Sequence, residues 1–337
     1  MGELRLNRRI LLGAPFTLML PRQAQGRTRT SSVQINLADL PPTPPADATS
    51  VAAGADTSLR MSVPVHLNDQ GPFTFVVDTG ANRSVVAGEV ATGLQLPSGP
   101  SARVHGIAGV ESAETVQVDK LAVGAVSSRR LQLPILPRER LGAQGLLGVD
   151  VLENRHVVLN FLEHRLEVGP PRHEQMNDSA AADHLSGARQ EGSVVTVPAR
   201  YRFGQLTIVD ADVGGLSVTA FLDSGSQNTV ANLTLRNAAL GRQPKLATRL
   251  TSVELLSATG QTAQGSLCPL PPLRLGGLTV EGLSAVFADL HTFDVWGLKG
   301  RSAILIGMDI LRHFDAVELD FGRRRVVFHT PTSAHSA

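Results

Sequence analysis

The sequence predicts an all-β protein built from two similar halves. Three observations carry that expectation. Short runs of Val, Ile, Leu, Thr and Phe alternate at close spacing with Gly, Asn, Asp and Pro turn signals. Sustained helical periodicity is missing. The pattern of the first half also recurs in the second, which points to duplication of a domain because only two long copies are present.

The elements follow in order. In the first half, the apolar run Phe73-Thr74-Phe75-Val76-Val77 ends in Asp78-Thr79-Gly80-Ala81-Asn82-Arg83-Ser84-Val85. Gly145-Leu146-Leu147-Gly148-Val149-Asp150 comes later. In the second half, Val218-Thr219-Ala220-Phe221-Leu222 ends in Asp223-Ser224-Gly225-Ser226-Gln227-Asn228-Thr229-Val230, followed by Ile304-Leu305-Ile306-Gly307-Met308-Asp309. Each half closes with a strand-turn-strand pattern. Val157–Phe161 is followed by Arg165–Val168 in the first, and Ala316–Phe321 by Val326–Phe328 in the second. Short helices are expected after the Gly-Val-Asp and Gly-Met-Asp turns, with Asp150 and Asp309 capping them. Residues 231–240 are a further helix candidate.

Composition bounds the function. The 337 residues are enough for two domains, and 42% hydrophobic with 18% charged residues is a globular composition. The net charge of +1 and the 4% aromatic content speak against a nucleic-acid partner. One cysteine, Cys268, allows neither an internal disulfide nor a cysteine metal cluster, and it reads as a small core residue. His105, His156, His164, His173 and His184 show no metal-ligand spacing and read as solvated or core side chains. Trp296 reads as a core anchor, and Arg129-Arg130 and Arg323-Arg324-Arg325 as solvated turn charges.

Residues 1–26 read as a signal peptide. Arg5, Arg8 and Arg9 precede an apolar stretch from Ile10 to Leu20, too short to span a bilayer, and Ala24-Gln25-Gly26 supplies small residues for cleavage. Arg8-Arg9-Ile10-Leu11-Leu12 also resembles a twin-arginine signal. The expected location is therefore outside the cytoplasm, periplasmic or secreted, with no stable membrane insertion once the signal is removed. Residues 27–58, rich in Pro, Ser and Thr, read as a linker or a propeptide. The expected lobes are 59–170 and 194–331, joined by a polar linker over 171–193, with a disordered tail over 332–337.

The chemistry lies in the two aspartate loops. An apolar strand holds a carboxylate at the tip of a rigid sheet. The following Thr or Ser offers a hydroxyl to tie the loop down, and Gly permits close approach. Two such loops facing each other bring two like charges together, so the pair keeps one proton. One carboxylate can then act as general base on a water while the other acts as acid.

These motifs resemble the retropepsin-like (retroviral-type) aspartic proteases, in a form similar to bacterial proteins with two tandem retropepsin-like domains. The match consists of both Asp-[Thr/Ser]-Gly loops and the later Leu146-Leu147-Gly148 and Leu305-Ile306-Gly307. The resemblance implies two β-barrel lobes in one chain, forming a pepsin-like bilobal protease with Asp78 and Asp223 as the catalytic pair. It implies active-site loop roles for Thr79, Gly80, Ala81, Ser84, Ser224, Gly225, Ser226 and Thr229. It also implies two substrate-covering flaps, at Gly106-Ile107-Ala108-Gly109 and at Ser257-Ala258-Thr259-Gly260. Pepsins use a flap tyrosine, whereas the only tyrosine here, Tyr201, lies outside both flaps, so tandem retropepsin halves describe the chain better.

The function so implied is endopeptidase action on a peptide or protein substrate, by an activated water, with no cofactor and no metal. A non-catalytic peptide-binding or scaffold protein of the same fold is the alternative. A flexible linker of two dozen residues spans roughly 5–6 Å times the square root of its length, so a monomer with its lobes paired within one chain is expected.

Overall fold

The computed structural model describes residues 33–36, 60–124, 126–169 and 193–331. The segments expected as signal peptide (1–26), most of 27–58, nearly all of 171–193 and 332–337 lie outside the described residues.

In the first lobe the strands are β2 (Ser62–Leu67), β3 (Gln70–Val77), β4 (Val85–Ala87), β5 (Ser98–His105), β6 (Val110–Val123), β7 (Val126–Leu136) and β8 (Gly145–Leu147), preceded in the chain by β1 (Val33–Asn36). Their order is β2-β3-β8-β4-β7-β6-β5, and an added β2–β6 pairing closes six of them into a ring with β5 outside. The apolar Gly145–Leu147 run threads through the centre of this sheet. It pairs parallel with β3, Val76 opposite Leu146, and antiparallel with β4. Strands buried on both faces read as unbroken apolar runs, as the fully buried β8 and β4 do. Gly148 follows because a Cβ there would sit 2.6 Å from the Arg83 backbone.

The second lobe repeats the threaded apolar-Gly strand, but among the described residues no added pairing closes its sheet into a ring. Its strands are β11 (Val194–Arg202), β12 (Gln205–Ile208), β13 (Ala211–Val213), β14 (Leu216–Ser217), β15 (Thr219–Leu222), β16 (Val230–Ala231), β17 (Thr251–Leu256), β18 (Thr262–Pro269), β19 (Leu273–Leu275), β20 (Leu278–Glu281), β21 (Ser284–Ala288) and β22 (Ala303–Ile306). Again the apolar-Gly strand β22 runs parallel to the aspartate strand β15, with Leu222 opposite Ile306, and antiparallel to β16. The helix expected over 231–240 runs from Leu233 to Arg242, and the Asn232 side chain accepts the Leu235 amide at its start.

The closing strands β9 (His156–Asn160), β10 (Arg165–Gly169), β23 (Ala316–Asp320) and β24 (Arg325–His329) do not stay in their own lobes. They form one antiparallel run, β10-β9-β23-β24-β11, in which β9 of the first half pairs with β23 of the second. The two lobes thus share a sheet. At its centre Glu318 is buried between two histidines, 2.7 Å from His156 and 2.6 Å from His329. Burial alone would push the Glu318 carboxyl up. The bonds from His156 and His329 outweigh it and hold the group at about 2.

Three expectations change here. Within the stretch read as linker or propeptide, Val33–Asn36 forms a strand parallel to β20 of the second lobe. Asp150 and Asp309 do not cap their helices, which begin at Gly148 and Gly307 without a side-chain bond; their carboxylates are drawn to the aspartate loops instead. Arg325 is not a solvated turn charge, since its Nε lies 3.5 Å from the fully buried Asp320 carboxylate. Cys268 is buried, and Trp296 packs on Phe203 and Phe221 at the edge of a small aromatic cluster.

Candidate active site

Strands β3 and β15 deliver Asp78 and Asp223 at their ends, and the loops that follow are locked together. The Thr79 hydroxyl donates to the Leu222 carbonyl at 2.8 Å and accepts the Ser224 amide at 3.0 Å. The Ser224 hydroxyl donates to the Val77 carbonyl at 2.7 Å and accepts the Thr79 amide at 3.1 Å. Both side chains are buried. Four hydrogen bonds therefore cross between the loops in a near-symmetric set, and the Thr-for-Ser difference is immaterial because each position uses only its hydroxyl.

The brace forces the carboxylates together. A Cβ at Gly80 would lie 2.5 Å from an Asp223 oxygen, and one at Gly225 would overlap the Asp78 carboxylate. Glycine is required at both positions by this approach. Asp78 accepts the Gly80 and Ala81 amides at 2.9 Å each, and Asp223 accepts the Gly225 and Ser226 amides at 3.1 Å each. Burial raises both carboxyls above their ordinary value, and at Asp223 the Asp78 charge adds to burial and takes it to about 7. The Asp78 charge disfavours ionisation of Asp223, so the two carboxyls titrate as a pair.

The loops are supported from beneath. Ser84 donates through both its amide, at 2.9 Å, and its hydroxyl, at 2.7 Å, to Asp150, and its hydroxyl accepts the Gly148 amide. Thr229 makes the same bonds to Asp309, with Gly307 in the place of Gly148. The recurring aspartates in the sequence thus anchor the active loops. Burial raises both of these carboxyls, and the Ser84 and Thr229 bonds oppose that rise.

Two residues of the site are not evident from the sequence motifs. Arg60 Nη1 donates to the Gly225 carbonyl at 3.4 Å and Nη2 to the Leu141 carbonyl at 2.6 Å. Gln205 donates to the Gly80 carbonyl at 2.5 Å. Each precedes its own aspartate by the same interval, 60 to 78 and 205 to 223, and each crosses to the other lobe's loop. That equal interval was the signal available. The pair breaks the symmetry of the site, since one member is a cation and the other is neutral. The Arg60 charge lowers both carboxyls against the effect of burial.

Both expected flap segments are hairpin tips. Gly106–Gly109 joins β5 to β6, with the Gly106 amide on the Gly109 carbonyl, and Ser257–Gly260 joins β17 to β18. The tips touch: a Cβ at Gly106 would overlap the Ser257 and Thr259 hydroxyls, both buried, and Arg140 reaches the Thr259 carbonyl at 3.3 Å. The first flap also rests on the second lobe. The His291 amide donates to the Ile107 carbonyl at 2.9 Å, and Ile107 packs against the cluster that contains Phe221. His105 Nδ1 lies 2.9 Å from His291 Nε2. Burial, then the neighbouring His291 and Arg103, hold His105 below its ordinary value.

The fold and the paired loops define the class, and the chain belongs to the aspartyl protease family. The family model, described as "Aspartyl protease", matches residues 63–151 and 209–310, one match per lobe and together more than half of the chain. No curated protein matches it. Among solved structures, the chain is similar to a retropepsin-like aspartic protease from Rickettsia conorii, at 16% identity and a TM-score of 0.29 over 42% of this chain and 97% of that one. It is also similar to edgp, at 11% and 0.37 over 81% and 92%, and to Basic 7S globulin from soybean, at 11% and 0.36 over 85% and 96%.

Proposed function

We propose that the chain is an aspartic endopeptidase whose single site is completed by both halves. The observation that carries this reading is the braced pair of like charges. A binding protein gains nothing from two carboxyls forced together and raised by burial, whereas hydrolysis needs one carboxylate and one carboxylic acid side by side. Such a dyad supports general acid–base catalysis, one member accepting a proton while the other donates.

In this reading Asp78, the more exposed of the two, is the carboxylate, and Asp223, pushed up to about 7 by burial and the Asp78 charge, holds the proton. Asp78 takes a proton from water as its oxygen attacks the scissile carbonyl carbon. Asp223 gives its proton to the carbonyl oxygen, which leaves a neutral gem-diol. Collapse of the diol breaks the C–N bond. One hydroxyl proton returns to Asp223, and the proton held on Asp78 passes to the leaving nitrogen. The products are a free carboxyl and a free amine, and the dyad is restored. The peptide would lie extended beneath the hairpin tips, its side chains alternating between the two faces of the cleft.

The proposal includes export, on the basis of residues 1–26, and action as a monomer. The test is a peptide library incubated with the mature protein and read by mass spectrometry. Internal cleavage is expected, with inhibition by peptides that carry a hydroxyl in place of the scissile carbonyl, because these imitate the tetrahedral intermediate. Activity lost to a chelator and restored by a divalent metal would overturn the mechanism.

A further inference from the structure

A second concave site lies in the second lobe, and nothing in the proposed hydrolysis uses it. It is a cavity of about 340 Å³ lined by Arg200, Arg202, Arg301, Thr207, Thr219 and Ser217 among others, with no acidic side chain among the described residues of its wall. Strand register explains the clustering. Arg200 pairs with Thr207, Thr207 with Phe221, and Thr219 with Ala303. Side chains alternate between faces along a strand. Arg200, Arg202, Thr207 and Thr219 therefore share one face, and Arg301 precedes Ala303 by two residues at the strand's mouth.

Among the described residues, nothing neutralises the cations there. None of Arg200, Arg202 and Arg301 enters an ion pair among the described residues. The acid nearest in sequence, Asp210, is engaged by Arg274 at 2.8 and 2.9 Å. Arg202 is set over the Phe203 ring, 5.1 Å from its centroid, and Phe203 in turn stacks on Trp296, so this guanidinium is held in place. A separate observation also points to a ligand. Thr207 is 5% exposed, and its hydroxyl has no hydrogen-bond partner among the described residues. Buried hydroxyls are ordinarily paired, and an unpaired one is costly.

We propose that this cavity is an anion site that takes a phosphate-bearing ligand. Three guanidinium groups offer planar pairs of donors matched to tetrahedral oxyanions, and Thr207, Thr219 and Ser217 supply neutral donors for the remaining oxygens. The volume admits a group larger than a single phosphate. A free phosphorylated compound and a phospholipid headgroup share this chemistry.

The probe is inorganic pyrophosphate titrated into the mature protein by calorimetry, beside vesicles of phosphatidylcholine with and without phosphatidic acid. The site predicts saturable one-to-one binding of pyrophosphate that weakens with added salt. Arg200→Gln and Arg301→Gln should each weaken it about tenfold, the scale of one charge-assisted bond, and the double variant should abolish it. Thr207→Val should weaken binding several-fold without lowering the melting temperature of the ligand-free protein, because it removes a hydroxyl that has no partner among the described residues. Pyrophosphate binding without vesicle binding assigns the site to a free anion. Vesicle binding that requires phosphatidic acid, and that pyrophosphate displaces, assigns it to a headgroup. No saturable binding by the folded protein, affinity unchanged in the double arginine variant, or binding of phosphate-free acidic peptides in place of pyrophosphate would each overturn the proposal.

Discussion

The brace between the aspartate loops makes a quantitative claim about stability. Thr79→Val keeps the side-chain volume but removes a hydroxyl that donates to the Leu222 carbonyl and accepts the Ser224 amide, in a position 4% exposed to solvent. Two backbone groups then stay buried without their partner. Each such group costs about 1–3 kcal/mol, so the variant should lose about 2–6 kcal/mol of unfolding free energy. Ser224→Ala removes the reciprocal pair of bonds, to the Val77 carbonyl and the Thr79 amide, and should lose a comparable amount. Against a typical total of about 5–15 kcal/mol, either loss is large. The double variant should lose less than the two singles together, because the first already loosens the interface that the second relies on. Urea unfolding followed by fluorescence and circular dichroism measures all three, with turnover on the same samples. Losses below about 0.5 kcal/mol, the range of ordinary surface substitutions, would refute the claim that these hydroxyls join the loops.

Two further outcomes follow from charge. Loss of the Asp223 proton above about 7 should set the alkaline limb of kcat/KM. Because the Arg60 cation favours the ionised carboxyls, Arg60→Met should move both limbs to higher pH while Gln205→Ala leaves them in place; an unmoved profile in Arg60→Met would detach that residue from the dyad. In the shared sheet, Glu318 is held at about 2 against an ordinary 4.5, which corresponds to about 3 kcal/mol at neutral pH. A carboxyl depressed in the folded state contributes above its unfolded value and loses that contribution as pH falls. Glu318→Gln should therefore cost several kcal/mol in thermal or urea unfolding near pH 6 and far less near pH 2, and an equal cost at both would remove the His156–Glu318–His329 cluster from the account.

How much of this was legible in the sequence depends on what each feature requires. The two aspartate loops and the apolar-Gly strands were readable because they are local, contiguous and repeated, and each is buried tightly enough to restrict its residue types. The closing strands were readable as strands, but their exchange into one sheet was not, since pairing across lobes depends on partners more than a hundred residues apart. Asp150 and Asp309 recur in register, yet local rules make an aspartate in a first helical turn a cap. Their actual partners, Ser84 and Thr229, are brought near only by the threaded strands. Arg60 and Gln205 left a signal in their equal spacing to Asp78 and Asp223, hidden by their different chemistry. Arg200, Arg202 and Arg301 look like ordinary surface charges along the chain and converge only through strand register.

The central claim is that Asp78 and Asp223 of one chain form one hydrolytic site. Peptide turnover by Asp78→Asn and by Asp223→Asn, each shown to be folded, tests it most directly. Each single variant should be inactive, and the double variant hardly worse, because the two residues act as a unit. Mixing the two purified single variants extends the test to the assembly. With lobes paired within each chain, every molecule still lacks one carboxyl, and the mixture should stay inactive at all concentrations. Substantial turnover by either single variant would contradict the dyad, and activity that appears on mixing and rises with concentration would contradict the single-chain site.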